Sequence, residues 1–328
     1  MVEISKVPSS GPLGTFTSRR ERVVREGVQH NLVLDQAYDL IGVYGLTSLA
    51  RYAVVSSYPS LLEVSKETKV FPGEVLTTDR DETNSTGGSF SVREISPLRY
   101  EVRVVREFSE EEVGGKSFLF WGFSPEGGKN PPLAFAEVFR DLDGDPSPLY
   151  LEEDQRLRLV YAYEFSLSSL ASSSLEVFGG KVGESKTDVS ASLSPGSSVS
   201  GSGEVFYHAL LFMDSLLSSA RTSPYQALAL AKGVRYFHEV ALLSGGSVLS
   251  RKPIERFPYV PGSREVASSS IVFNSYEGNG EVDGVAFGLV EGVDGGLTPC
   301  YTMNLQSPIH KDNLHKLILG SLKVSWSS

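Results

Sequence analysis

"PLYLEEDQRLRLVYAYEFSLS" (residues 148–168) and "PIHKDNLHKLILGSLKVSWSS" (residues 308–328) are two versions of one closing phrase. Each opens on a proline, crosses a polar turn and ends in an extended apolar run. In the first, Leu157, Leu159, Tyr161, Tyr163 and Phe165 alternate with other residues. Period-two spacing places them on one face of a strand, against a core. The other face, Arg158, Val160, Ala162 and Glu164, is only half polar. That suits a sandwich or a sheet packed in an assembly.

Outward from this strand, most of the chain reads as β. "YEVRVVREF" (100–108), "KSFLFWGF" (116–123) and "LAFAEVFR" (133–140) are bounded by Gly, Pro, Ser and Asn clusters. Two segments read as helices. In "NLVLDQAYDLIG" (31–42), Val33, Ala37, Tyr38 and Ile41 share a stripe, with Asn31 as N-cap and Gly42 as stop. In "EVFYHALLFMDSLLSS" (204–219), Phe206, Leu210, Met213 and Leu217 align, with Ser202 as N-cap.

The halves follow one order: helix, strand, a long two-strand stretch, a GG turn (Gly127-Gly128 and Gly295-Gly296), an apolar strand, and the closing phrase. Pro148 matches Pro308, and the Leu157–Leu159 strand matches Leu317–Leu319 or its neighbour, so the offset stays near 160 residues. The expected fold is mainly β: two tandem antiparallel β-sandwich domains, each with one short helix near its start. The expected division is an N-terminal arm (1–29), domain 1 (30–168), a Ser-rich connector (169–203) and domain 2 (204–328), a diverged repeat of domain 1. Residues 166–202 hold 14 serines in 37 positions and read as a flexible linker, although "KTDVSASLS" alternates like an exposed strand. "SPYQALALAKG" (223–233) carries helix-start signals, but its assigned counterpart, "LARYAVVSS" (49–57), reads as a strand. The repeat therefore predicts a strand over 225–231.

The chain has 328 residues, of which 40% are hydrophobic, enough for ordinary cores. Its formal net charge of −10 argues against general nucleic-acid affinity. The local exception, "RRERVVR" (19–25) with Arg19, Arg20, Arg22 and Arg25, reads as a solvated face rather than an acidic partner's dock. No apolar run approaches the ~18 residues of a membrane span. The N-terminus lacks a signal-peptide layout, so use without export is expected. The single cysteine, Cys300, excludes an internal disulfide.

Several phrases resemble a family of tail-associated structural proteins of tailed bacteriophages. They are "NLVLDQAYDLIG" (31–42), "DETNSTGGS" (81–89), "VRVVREF" (102–108), "WGFSPEGG" (121–128) and "LAFAEVFRDLDGDPSPLYLEEDQRLRLVYAYEFSL" (133–167). The resemblance covers about 30–168 directly and 204–328 only through the repeat. The chain departs from the family pattern at "SSYPS" (56–60), where a G-T-G turn is usual, and at Trp121, where a Glu is usual. The resemblance implies a β-rich virion component of the tail, neck or baseplate region, assembled in the host cytoplasm. Its implied partners are other virion proteins and copies of itself, with no nucleic acid and no membrane.

Motifs for chemistry are sparse. In "DLDGDP" (141–146), Asp141, Asp143 and Asp145 alternate as calcium ligands do, and Glu152 and Glu153 could complete a site. Gly144 comes too early and Pro146 takes the place of the loop glycine, so a polar turn explains it better. His310 and His315 with Cys300 lack the close pairing of a zinc site. His30, His208 and His238 scatter, and His208 reads as a core or interface residue. "GSSVSGSGE" (196–204) lacks the lysine of a phosphate-binding loop. No catalytic residue, cofactor or firm metal site is expected, and the chain reads as a non-enzyme. A second reading is a glycan-binding module with a host surface glycan as partner. Tyr100, Tyr150, Tyr161, Tyr163, Tyr259 and Tyr276 are its candidate aromatics, and "NSYEGNGEVD" (274–283) its best loop.

Overall fold

The structure is a computed structural model. It describes residues 2–6, 22–27, 32–57, 63–81, 89–141, 143–167, 175–179, 185–187, 189–193, 198–201, 204–218, 224–231, 236–291 and 295–327. The chain is mainly β, with several antiparallel sheets. It divides into two compact units. Unit 1 comprises Met1–Ile41, Thr47–Arg93 and Glu101–Glu164; unit 2 comprises Gly42–Leu46, Glu94–Tyr100 and Phe165–Ser328.

The first half runs β1 (Val2–Lys6), β2 (Arg22–Gly27), β3 (Leu32–Val33), α1 (Asp35–Tyr44), β4 (Tyr52–Ser56), β5 (Val75–Thr78), β6 (Phe90–Ser96) and β7 (Arg99–Phe108). It continues with α2 (Glu110–Val113), β8 (Ser117–Phe118), β9 (Phe120–Ser124), β10 (Phe135–Val138), β11 (Leu149–Tyr150) and β12 (Gln155–Ser166). Two five-stranded sheets result, β2-β1-β12-β7-β6 and β3-β10-β9-β4-β5. Tyr161 of β12 stacks on Phe123 of β9 at 4.9 Å and meets Phe135 of β10 at 4.5 Å. The inward face of the closing strand thus meets the other sheet through aromatic rings.

The second half runs β13 (Leu175–Gly179), β14 (Ser185–Thr187), β15 (Val189–Leu193), β16 (Ser198–Gly201), β17 (Glu204–Tyr207), α3 (His208–Leu217), α4 (Pro224–Ala231), β18 (Tyr236–Ser244) and β19 (Ser247–Pro253). It ends with β20 (Glu265–Ala267), β21 (Ile271–Phe273), β22 (Gly280–Glu291), β23 (Leu297–Lys311), β24 (His315–Leu319) and β25 (Lys323–Ser325). Its larger sheets are β14-β13-β24-β21 and β15-β23-β22-β18-β19.

Apart from the edge strand β6, which has no counterpart among the described residues, the larger sheets of the two halves share one strand order. β13, β14, β24 and β21 take the places of β1, β2, β12 and β7; β15, β23, β22, β18 and β19 take those of β3, β10, β9, β4 and β5. Registers agree as well. Leu157 and Leu159 lie opposite Ile4 and Val2, and Leu317 and Leu319 lie opposite Val177 and Leu175. Gly122 sits in the middle of β9 between Val54 and Ala136, and Gly288 sits in β22 between Glu239 and Pro299. A Cβ on Gly122 would lie 2.2 Å from the Phe135 carbonyl oxygen, and one on Gly288 would lie 2.2 Å from that of Thr298. At both places only glycine lets the neighbouring strand approach this closely.

Several expectations are corrected. The segment 225–231 is helical within α4, not a strand. Pro224 opens it, and Ala and Leu favour helix, so local signals prevail. The strand in the position of β4 is β18, further along the chain. The helix expected over 31–42 is α1, Asp35–Tyr44; Leu32–Val33 instead pairs with Phe135–Ala136, so a sheet ladder displaces the first turn. Gly42 lies inside α1. The helix expected over 204–219 is α3, His208–Leu217, because Glu204–Tyr207 pairs with Ser198–Gly201. Phe206 therefore belongs to a strand, and Asn31 and Ser202 lie outside the described residues. The Ser-rich stretch contributes strands: Leu175–Gly179 pairs with β24 and Val189–Leu193 with β23. Backbone pairing needs no apolar side chains, so serine content hid the first of these strands, while the alternation of Val189, Ala191 and Leu193 marks the second. The stretch 57–99 holds β5 and β6, and its segment 82–88 lies outside the described residues.

Candidate functional site

The groups that could do chemistry come first. Cys300 is fully buried, and burial pushes its thiol up to about 12, which disfavours the thiolate form that a nucleophile or a metal ligand uses. Asp141 accepts hydrogen bonds from the backbone of Asp143 and Asp145, both at 3.0 Å. Arg140 donates to the Gly144 carbonyl at 3.0 Å. The acidic run is thus a closed polar turn, and among the described residues no group of carboxylate, His or Cys side chains is arranged to hold a metal.

Among the described residues, one nucleophile–base pair stands that the sequence did not flag. Ser215 Oγ of α3 lies 2.5 Å from His238 Nε2 of β18. The serine also donates to the Leu211 carbonyl at 2.6 Å. A hydroxyl has one proton, so it cannot donate to the helix carbonyl and to the imidazole at once. The helix carbonyl competes with the imidazole for that proton, which works against nucleophile activation. Burial lowers the His238 pKa to about 4, with Arg256 adding to the effect and a backbone bond to Phe212 opposing it. The pair ties the helix to the sheet. His208 is buried in α3, as the sequence suggested.

The tyrosines separate by exposure. Tyr100 is buried, while Tyr161, stacked on Phe123, and Tyr163, tilted against Phe135, are half-buried along β12. Tyr259 packs on Trp326 at 5.6 Å. Tyr150 and Tyr276 stand exposed. The side chains of Arg19, Arg20, Arg22 and Arg25, and all of His30, lie outside what the structure describes.

Two surfaces of unit 2 remain. β19 leads from a tight turn at Gly245-Gly246 to Pro253, crossing the sheet from one end to the other. Beyond Pro253, the stretch 254–264 exposes Phe257 and Val260 beside Pro258 and Pro261. Its shape is fixed: Phe257 N donates to the Ala267 carbonyl at 2.8 Å, and Ser263 N to that of Val260 at 3.0 Å. Two prolines stiffen it further.

At the opposite end lie the loops 274–279 and 312–314, which precede β22 and β24. Here Lys311, the last residue of β23, is fully buried. Its ammonium donates to Asn279 Oδ1 at 2.8 Å and to the Ser275 carbonyl at 3.3 Å. Burial lowers its pKa, while Glu277 and Asp312 oppose that shift. Glu277 accepts from Asn274 N and from Lys252 Nζ, both at 2.7 Å. The Lys252 bond is the larger cause holding its carboxyl below the usual range. Asp312 accepts from Leu314 N at 2.8 Å and from His315 Nδ1 at 2.5 Å. Asn279 Nδ2 donates to Asn313 Oδ1, which joins the two loops. Tyr276, 75% exposed, and Leu314, 78% exposed, stand on them.

The sequence pointed to 274–283 but missed Lys311. A signal was present: Tyr301, Met303, Leu305 and Ile309 alternate inward along β23, and Lys311 continues that face. Comparison with protein-family profiles, with curated proteins and with solved structures gives no match.

Proposed function

We propose that the chain is a structural subunit of a bacteriophage virion, in the tail, neck or baseplate region. In this reading it is two tandem β-sandwich domains, the second a diverged copy of the first, and it works by assembly with copies of itself and with other virion proteins. The matching strand orders, the paired leucine registers and the two crowded glycines support the duplication. Among the described residues, Ser215 and Asp141 are engaged in internal bonds and Cys300 is buried, which favours a role in contacts over one in catalysis.

The observation that carries assembly is the stiff apolar stretch 254–264. Phe257 is 53% exposed and Val260 is 65% exposed, on a backbone held by hydrogen bonds and prolines. Fixed apolar anchors lose little entropy on docking, which is what an interface hot spot requires. Two sheet edges, β6 and β19, are guarded instead. The outer strand β6 carries Arg93, bonded to Glu101, and β19 carries Arg251, paired with Glu239, and ends on Pro253. Charges and proline on an edge suppress open-ended strand addition.

Light scattering on the eluting full chain tests this. A mass that is a whole multiple of 35.6 kDa is expected, falling toward one copy in a Phe257→Ser, Val260→Ser double variant. A wild-type monomer at high concentration removes self-assembly from the account. Mass spectrometry of purified virions tests the virion assignment separately, since peptides of this chain must then appear as a stoichiometric component.

A further inference from the structure

We propose that the end of unit 2 built by 274–279 and 312–314 is a carbohydrate-binding site for a neutral sugar chain, with the Tyr276 ring as its platform. The argument begins with Lys311. Taking an ammonium out of water is unfavourable unless it gains strong partners. Lys311 is fully buried, yet the partners in direct contact are a neutral amide and a backbone carbonyl of an exposed loop. An ordinary surface loop needs no such anchor. The loop is fixed further by the Glu277 bonds and by Gly278, whose φ of +62° suits glycine and where a Cβ would lie 2.9 Å from Leu242. A loop held this firmly presents its outward side chains with little entropy left to lose on binding.

What it presents is an aromatic ring and an amide pair. Tyr276 offers a flat apolar face and a hydroxyl in water. Asn279 and Asn313 are exposed and already oriented by their mutual bond, and an amide carries more donors and acceptors than that bond uses. Axial C–H faces of a pyranose stack on such a ring, and its hydroxyls pair with planar amides. The charges at the site offset one another: Lys252 and Lys311 stand against Glu277 and Asp312. Nothing there selects a strongly charged ligand, so the sugar is neutral. A protein partner fits less well, because the apolar surface on these loops is two side chains, Tyr276 and Leu314, far below the ~800 Å² per partner of a stable interface.

The inference does not rest on the assembly reading, since a single copy carries the whole site. Saturation-transfer NMR on the full chain tests it, with neutral oligosaccharides of glucose, galactose, mannose and N-acetylglucosamine as probes. Transfer to ring C–H protons is expected for at least one probe. Tyr276→Ala raises its Kd about tenfold or more, the loss of one aromatic contact, whereas Tyr276→Trp retains binding. Asn313→Ala weakens it by a smaller factor, and the melting temperature of each variant stays at the wild-type value. No transfer with any probe overturns the proposal, as does transfer that survives Tyr276→Ala unchanged. A change in oligomeric mass on Tyr276→Ala, with no sugar effect, overturns it in favour of a protein contact.

Discussion

Replacing Gly122 or Gly288 by alanine probes the feature that the two halves share most closely. In each case the new methyl carbon would lie 2.2 Å from a carbonyl oxygen of the adjacent strand, Phe135 for Gly122 and Thr298 for Gly288. A flexible side chain could rotate away, but here backbone is in the way on β10 and on β23. Relief needs the strands to part within a ladder. Overpacking of this kind destabilises by about 1–3 kcal/mol, and the ladder distortion places these changes at about 2–3. For units of this size that corresponds to a fall in Tm of about 4–12 °C. Gly296→Ala is the control: no atom lies within 4 Å of its Cβ position, so that variant is neutral or slightly stabilised. Scanning calorimetry on the three variants and the wild type decides. If Gly122→Ala and Gly288→Ala both melt within a degree of Gly296→Ala, the close-approach argument fails, and with it the strongest local sign that the halves are copies.

Glu107 is buried, and its carboxylate accepts from Arg158 at 2.8 Å and Arg156 at 3.4 Å, so Glu107→Ala leaves buried guanidinium charge behind. A loss of about 3 kcal/mol in urea unfolding is expected, and a loss below about 1 contradicts the pairing. His238 is held neutral with a pKa near 4 when folded, against 6.5 when unfolded, so between those values the unfolded chain binds the extra proton. Stability therefore falls as pH drops from 6.5 to 4, by about 2–3 kcal/mol, and His238→Gln flattens that part of the profile. Cys300 stays unreactive toward a thiol reagent in the native protein and labels at the rate of unfolding; fast native labelling contradicts its burial.

Sequence periodicity exposed the closing strands because their leucines recur at the same spacing, Leu157 and Leu159 against Leu317 and Leu319. It failed where one half carries an element the other lacks. The helix α4 stands between α3 and β18, so matching by order set β4 against a helix. The glycine pair was hidden for another reason. A close approach depends on which residue lies opposite, and register is a property of two strands, not of one segment. For the candidate site, the aromatic loop was legible from composition. The lysine beneath it was not, because a charged residue on an inward face reads as a break in the pattern until its partners are known.

Cysteine cross-linking of the closing strands tests the duplicated architecture most directly. In a Cys300→Ser background, one variant carries Ile4→Cys with Leu157→Cys, and another Val177→Cys with Leu317→Cys, each pair being directly opposite in its ladder. Directly opposite strand positions, with Cα atoms about 4.5–5.5 Å apart, lie within disulfide reach. The account predicts an intramolecular disulfide in both variants, read as the loss of two free thiols. A cross-link in the first pair but not the second, or in Val177→Cys with Lys316→Cys instead, would contradict it.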